Sequence, residues 1–371
     1  DTAYFCMEYG LDENMRIYAG GLGILAGDIL KTAKEYSYPV TGIGLLWRKG
    51  YSKQVINKNG RPEDKHPVNK EIYDYAEDTG ETVTVTIKGK EVTLKIWKLD
   101  KFDNANLYLL DSNLPENQKY QNITDGLYDG FNEKRIAQEI ALGIGGVKAI
   151  RKLGLNIDIY HFNEGHAALA GTELIKEKMK NGLDFHTAWD EVREDIVFTT
   201  HTPVKEGNES HSLDSLKKMS AFNGLTKKQM KEIGDSPFSM TVAGLRLARM
   251  SNGVAKLHGQ TSREMWSDVS GKSPIISITN GVHRSTWVDD RIIENMDDKE
   301  SIYQTRKKMK KELVDFIKKR NGAKLDPDKL IIGFARRATA YKRPNLIFEK
   351  SDVIDSYLES GEIQLVFSGK A

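Results

Sequence analysis

The chain has 371 residues, with 55 Lys+Arg against 53 Asp+Glu and a net charge of +2. No global field therefore points to nucleic acid or an acidic membrane surface, and any anion site must be local. A single cysteine, Cys6, excludes an intramolecular disulfide framework and a cysteine-rich metal cluster and suits a reducing cytoplasm, and no apolar run approaches the roughly 20 residues of a membrane span.

The recurring pattern is a short apolar run, a Gly-rich or polar turn and an amphipathic helix, which predicts an α/β fold of βα units around a parallel sheet. Tyr4-Phe5-Cys6-Met7 reads as the first strand, and DTAYFCMEYGLDENMRIYAG lacks the charged-then-apolar plan of a signal peptide. Next come Ala19-Gly20-Gly21-Leu22-Gly23-Ile24-Leu25-Ala26-Gly27-Asp28 and a helix over residues 29–35. Glycines at such a turn let backbone N–H groups approach a ligand oxygen, with the helix N-terminus adding positive partial charge. The same composition also makes an ordinary tight turn, and the stretch is neither G-x-G-x-x-G nor a P-loop. A second strand falls in residues 39–47. Residues 81–100 alternate apolar and polar on both sides of Lys88-Gly89-Lys90, the pattern of an antiparallel hairpin inserted as a ribbon packed on one face. Residues 133–153 read as a helix.

A third strand, at 157–160, runs into His161-Phe162-Asn163-Glu164-Gly165-His166. Two histidines and a glutamate suggest zinc, but they lie across a strand end and a turn, not at i, i+4 on one helix, so no metal is expected. Polar groups at the carboxyl end of a parallel strand are placed to hydrogen-bond a ligand in the crevice above the sheet. Either histidine alone fits a structural role equally well. A fourth strand, 195–203, ends on Thr199-Thr200-His201-Thr202, and a fifth strand end, 276–282, carries Asn280-Gly281 with His283 just beyond. Together these stretches put four polar clusters at one end of one sheet.

Residues 300–319 form a helix with Ile302, Met309, Leu313, Phe316 and Ile317 on one face, stopped by Asn321-Gly322. The expected linker is 324–328, giving a first domain at 1–325 and a second begun at 326–371. Behind Leu330, Ile331 and Ile332 come Arg336, Arg337, Lys342 and Arg343, expected to face the crevice from the opposite wall, where fixed cations suit a sugar phosphate. Arg336 and Arg337 are the dispensable pair; Lys342 and Arg343 are pinned ahead of Pro344. Both ends fall at strand-like stretches, so a piece of a longer polypeptide is expected.

In chain order, the blocks YFCMEYGL, AGGLGILAGD, GIGLLWRKGY, HFNEGHAAL, FTTHTP, SNGVAKLH, TNGVHRSTW, FARRATAYKR and FSGKA resemble the α-glucan phosphorylases, of the short bacterial and archaeal maltodextrin or glycogen type, over nearly the whole chain. The resemblance implies two Rossmann-like domains of the GT-B glycosyltransferase type facing each other across a cleft, the second only begun here. It implies reversible, retaining phosphorolysis of an α-1,4-glucan by inorganic phosphate, giving glucose 1-phosphate and a shortened glucan. The implied cofactor is pyridoxal 5′-phosphate, used through its phosphate group. By position, Gly20, Gly21, Leu22 and Gly23 would contact the glucosyl unit and its phosphate. His201 and Asn280, with Thr202 beside them, would hydrogen-bond the glucose hydroxymethyl group, and Asn163, Glu164 and His166 would line the acceptor side. Lys342 and Arg343, with Tyr341 adjoining, would bind the cofactor and substrate phosphates. Lys342, Arg343 and His201 are thus the expected catalytic set.

The family's Schiff-base lysine lies beyond the FSGKA block, and its usual segment ahead of YFCMEYGL is missing. The 371 residues alone are therefore expected to be truncated at both ends, to lack covalent cofactor and to be inactive; homo-oligomerisation is left open. Two other readings stand beside this one. A nucleotide-sugar-dependent glucan synthase shares the architecture but carries a lysine at the start of the Gly-Gly-Leu loop, where this chain has Arg16-Ile17-Tyr18-Ala19. A non-catalytic glucan-binding remnant would keep only the acceptor wall.

Overall fold

The computed structural model describes residues 1–128 and 132–370, the side chains of Glu206 and Tyr341 excepted, so the expectation on Tyr341 lies outside the described residues. The chain divides into two compact units, Asp1–Lys53 with Lys65–His283 and Gln54–Asp64 with Arg284–Ala371.

The first unit is a mixed α/β body built on one large sheet, which fits a Rossmann-like fold. Its strands are β1 (Thr2–Phe5), β2 (Val40–Leu45), β3 (Glu77–Ile87), β4 (Lys90–Leu99), β5 (Leu107–Asp111), β6 (Ile159–Asn163), β7 (Ile196–Thr200), β8 (Met250–Gly253) and β9 (Ile275–Ser277). They lie in the order β9-β8-β7-β6-β1-β2-β5-β4-β3. All neighbours from β9 to β5 pair in parallel, whereas β3 and β4 are antiparallel. Central parallel strands are covered on both faces and so read as continuous apolar runs. In β1, Ala3, Tyr4 and Phe5 are all buried. From β1 the chain moves to one side for β2 and β5, then returns to β1's other flank for β6. The order therefore reverses between β1 and β6, and the carboxyl ends at such a switch point are where open α/β sheets hold ligands.

The hairpin is present with its turn at Lys88 (φ 51°) and Gly89 (φ 70°), the positive pair a two-residue hairpin turn needs. Rather than standing apart as a ribbon, it continues the main sheet through the β4–β5 pairing and buries Val85, Ile87, Val92, Leu94 and Ile96. Helix α1 (Gly21–Glu35) starts at Gly21, well before residue 29. Its glycines permit close approach to the strand end: a Cβ on Gly27 would lie 2.0 Å from the Gly10 carbonyl oxygen. Residues 133–153 form α2 (Glu133–Ile140), a π-helical turn over Ala141–Gly145 and α3 (Gly146–Lys152), and π-bulges of this kind are frequent at functional sites.

In the second unit, β10 (Leu330–Ala335) pairs in parallel with β11 (Ile363–Ser368). Helix α4 (Lys299–Asn321) is capped by Asp298 and closed by Gly322 in the left-handed region at φ 80°. The stretch 324–328 does not separate the units. Asp326 N–H donates to Gln364 Oε1 (2.7 Å) and Gln364 Nε2 donates to Asp326 O (2.8 Å), stitching it to β11 and leaving α4 in the same unit. The apolar face of α4 is only partly covered: Val314 and Ile317 are buried, while Leu313 and Phe316 are 45% and 58% exposed. They line a groove of about 1240 Å³ with Phe334 and Phe367, because two strands cannot cover a 23-residue helix.

Candidate functional site

The loop between β1 and α1 is held by a residue that sequence reasoning passed over. Glu8 is buried, and its Oε2 accepts from the N–H groups of Ala19 (2.6 Å) and Gly20 (3.2 Å). Its other oxygen accepts from the Tyr128 hydroxyl at 2.7 Å. The Gly20 amide is thus already engaged, leaving the amides of Gly21, Leu22 and Gly23 as first-turn donors of α1 with no intrahelical acceptor. A Cβ on Gly23 would lie 2.5 Å from Tyr18 Cβ and 2.8 Å from Glu8 Oε2, so only glycine lets the helix start against this carboxylate.

At the ends of β6 and β7 the two His-containing stretches meet. Asn163 is fully buried; its Nδ2 donates to Cys6 Sγ at 3.1 Å, and its Oδ1 accepts from His201 Nε2. That pairing places the proton of His201 on Nε2 and leaves Nδ1 as the acceptor nitrogen. Burial pushes the His201 imidazolium down to about 4, so the ring is neutral. Cys6 is itself buried, its thiol pushed by desolvation up to about 12, and it serves as a weak acceptor orienting Asn163. Glu164 Oε2 accepts from His201 N–H (2.9 Å) and the Thr202 hydroxyl (3.2 Å), tying the end of β6 to the loop after β7. Its backbone lies at φ 69°, ψ 168°, a region almost reserved for glycine, and strain of this kind collects at functional sites. His161 points into a different network: its Nε2 donates to Thr199 Oγ1 (2.7 Å), whose hydroxyl donates to Asn252 Oδ1 (2.7 Å).

His166 lies next to a charged cluster that was not legible in the sequence. Its Nε2 is 3.7 Å from Glu209 Oε2, and Glu209 Oε1 is 3.0 Å from Arg135 Nε. Arg135 stacks its guanidinium 4.9 Å above the Tyr128 ring, whose centroid is 6.1 Å from that of His166. Burial, then the charges of Arg135 and His201, hold the His166 imidazolium down at about 3. Glu139, fully buried, accepts from His211 Nε2 at 2.7 Å. Burial pushes its carboxyl up to about 8, and burial together with the Glu139 charge pushes Glu209 up to about 7. Among the described residues, Glu139, Glu209 and His211 bring three donor atoms within 4.8 Å, the geometry a metal ion would need, with the Arg135 guanidinium already supplying positive charge beside them.

Asn163, Glu164, His201 and Thr202 therefore form one hydrogen-bonded group, and His166 sits beside it through Glu209. Asn280 is exposed in the loop after β9, two strands from β7, with its N–H donating to Val254 O at 3.1 Å.

In the second unit, the loops after β10 and β11 touch. Ala338 N–H donates to Lys370 O at 2.8 Å, and a Cβ on Gly369 would lie 2.0 Å from Arg336 O. Lys342 is half-buried in a short turn and Arg343 is exposed, held at φ 51°, ψ 55° ahead of Pro344. Arg336 is exposed as well.

No family model matches the chain. It is 34% identical over 426 residues to the maltodextrin phosphorylase of Thermococcus litoralis, covering 99% of this chain and 50% of that protein. It is 32% identical over 425 residues to the glycogen phosphorylase of Aquifex aeolicus, covering 98% of this chain and 61% of the relative. An uncharacterized protein of Methanocaldococcus jannaschii is 36% identical over 374 residues, 100% of this chain and 70% of the other. The chain thus spans 50% and 61% of the length of these two phosphorylases. With polar groups gathered at the switch point of a large parallel sheet, it fits the Rossmann-like glycosyltransferases. Within that class, the chain belongs to the α-glucan phosphorylase family, in its short type.

Proposed function

We propose that this chain serves the retaining phosphorolysis of α-1,4-glucans, and that its first unit is the Rossmann-like half of a GT-B fold that handles the sugar. The observation carrying this is the Asn163–His201 pair. A neutral imidazole is fixed with its proton on Nε2, presenting an acceptor Nδ1 at the carboxyl edge of the sheet, which suits a sugar hydroxyl and not an anion. The free first-turn amides of Gly21, Leu22 and Gly23 supply donors for the glucosyl unit and its phosphate. Glu164 holds His201 through its backbone N–H and is itself bonded by the Thr202 hydroxyl, while His166 lines the acceptor side. Asn280 is assigned to the hydroxymethyl group as well.

Arg16 favours phosphorolysis over a nucleotide-sugar synthase. Its guanidinium donates to the carbonyl oxygens of Pro67 (2.8 Å) and Tyr51 (3.4 Å), so the position ahead of the Gly-rich loop is committed to structure.

Lys342 and Arg343 are assigned to phosphate. Both follow β10 in and just after the short turn ahead of Pro344, and two adjacent fixed cations suit the phosphate end of pyridoxal 5′-phosphate. That group, when bound, supplies a phosphate that exchanges a proton with the substrate phosphate. Lys342 and Arg343 would hold the anions and offset their charge as phosphate attacks. We further propose that the 371 residues on their own bind glucan without turning it over.

Titration calorimetry with maltoheptaose tests the assignment. Binding should weaken about tenfold or more in His201→Ala and His166→Ala and stay unchanged in Lys342→Ala, given roughly 1–3 kcal/mol for a buried polar contact. Wild-type protein that ignores maltoheptaose, or binding insensitive to both histidines, would overturn the proposal. Glucose 1-phosphate release by the isolated 371 residues would overturn its last part.

A further inference from the structure

The Gly-rich loop and the acceptor-side histidine follow different strands, β1 and β6, yet one side chain links them. Tyr128 donates its hydroxyl to Glu8 Oε1 at 2.7 Å, and the other oxygen of that carboxylate holds the amides of Ala19 and Gly20. The ring of the same tyrosine lies under Arg135 (4.9 Å) and beside His166 (6.1 Å), and Arg135 is joined to His166 through Glu209. Each face of Tyr128 thus belongs to a different part of the site. Its backbone is in the left-handed region at φ 60°, an uncommon conformation for a bulky residue that the surrounding contacts must maintain.

We propose that Tyr128 and Glu8 are positioning residues that set the Gly-rich loop and the Arg135–Glu209–His166 cluster as one unit, so that a glucosyl phosphate on the loop and a glucan at His166 are held in register. The chemistry is local. A buried carboxylate needs donors, and those converging on Glu8 include two from the loop and one from Tyr128. With the hydroxyl removed, Glu8 loses the donor on its Oε1 side, and the Ala19 and Gly20 amides lose a firmly held acceptor. Removing the whole ring also takes away the surface on which Arg135 rests. The two faces can therefore be separated by mutation.

This inference rests on the phosphorylase reading only for the identity of the ligands. Amide hydrogen exchange tests it in the full 371-residue chain, first without ligand. In Tyr128→Phe, the amides of Ala19 and Gly20 should exchange about tenfold faster, the order expected when a buried acceptor loses one of its donors. The amides of β2 and residues 163–170 should be unchanged. Tyr128→Ala should in addition speed exchange at 163–170. In wild type, glucose 1-phosphate should slow exchange at 19–24 and maltoheptaose at 163–170. In Tyr128→Phe the first protection should be lost and the second kept, a split that a purely structural role would not produce.

Exchange at Ala19 and Gly20 within twofold of wild type would overturn the proposal. So would uniform acceleration that includes β2, or loss of both protections together. A wild-type chain that neither sugar protects would sink the phosphorylase reading instead, and the ligand-free comparison would still decide the positioning role.

Discussion

Replacing Glu164 by glycine should give a more stable protein than replacing it by alanine, against the usual order. Both substitutions remove the carboxyl that accepts from His201 N–H at 2.9 Å and from the Thr202 hydroxyl at 3.2 Å, so both lose about 2–3 kcal/mol of hydrogen bonding. They differ in the backbone. At φ 69° and ψ 168° any residue with a Cβ carries about 1–3 kcal/mol of strain, and glycine carries none. Glycine gives back about 0.5–1 kcal/mol through the greater freedom of the unfolded chain. The balance favours glycine by about 1 kcal/mol, or about 3 °C in melting temperature for a unit of this size. Thermal melts of the two variants at neutral pH, followed by circular dichroism, read this directly. An alanine variant melting at or above the glycine variant would show that the strain at Glu164 is not present in solution. Both variants should also lose maltoheptaose affinity, because the His201 backbone is no longer held.

Other outcomes follow from the buried charges and close contacts. Glu139 and Glu209 have folded values near 8 and 7, above the unfolded carboxylate, so the native state holds protons that the unfolded chain releases. Their contribution is complete below the unfolded value near 4.5 and is lost as pH rises through 7 to 8; the urea midpoint should fall over that range, and Glu139→Gln should flatten the fall. His161, His166 and His201 have folded values near 4, 3 and 4, so the unfolded chain binds protons first and stability should drop as pH is lowered from about 6.5 to 4. Gly27→Ala should displace α1 from the strand end and cost about 1–3 kcal/mol, since its Cβ would meet the Gly10 carbonyl oxygen at 2.0 Å. A melting temperature within 1 °C of wild type would refute that contact, on about 2–4 °C per kcal/mol.

Much of the site was legible because it follows strand ends. The stretches at Asn163–Glu164 and His201–Thr202 each read as polar groups after an apolar run, and the β6–β7 pairing brings them into contact. Tyr128, Arg135 and Glu209 were not legible, since none sits in a distinctive motif, and Glu8, though inside YFCMEYGL, meets them only through the tertiary fold. Arg135 in particular lies in an ordinary amphipathic helix, and only packing buries it. Strand β8, Met-Ser-Asn-Gly, has one apolar residue and forms because β7 and β9 flank it. Lys-Leu-Asp-Pro-Asp has a linker's composition, while Gln364, far along the chain, ties it to β11, a contact that composition does not reveal.

The imidazole nitrogens of His201 test the central claim most directly. In protein labelled with ¹⁵N-histidine, Nε2 should show the proton-bearing shift at neutral pH and Nδ1 the unprotonated one, as the bond to Asn163 requires. Addition of maltoheptaose should move the Nδ1 resonance as it accepts from a sugar hydroxyl and leave Nε2 in place. An Nδ1 resonance unmoved at saturating glucan, or a proton found on Nδ1, would contradict the assignment of this edge of the sheet to the sugar.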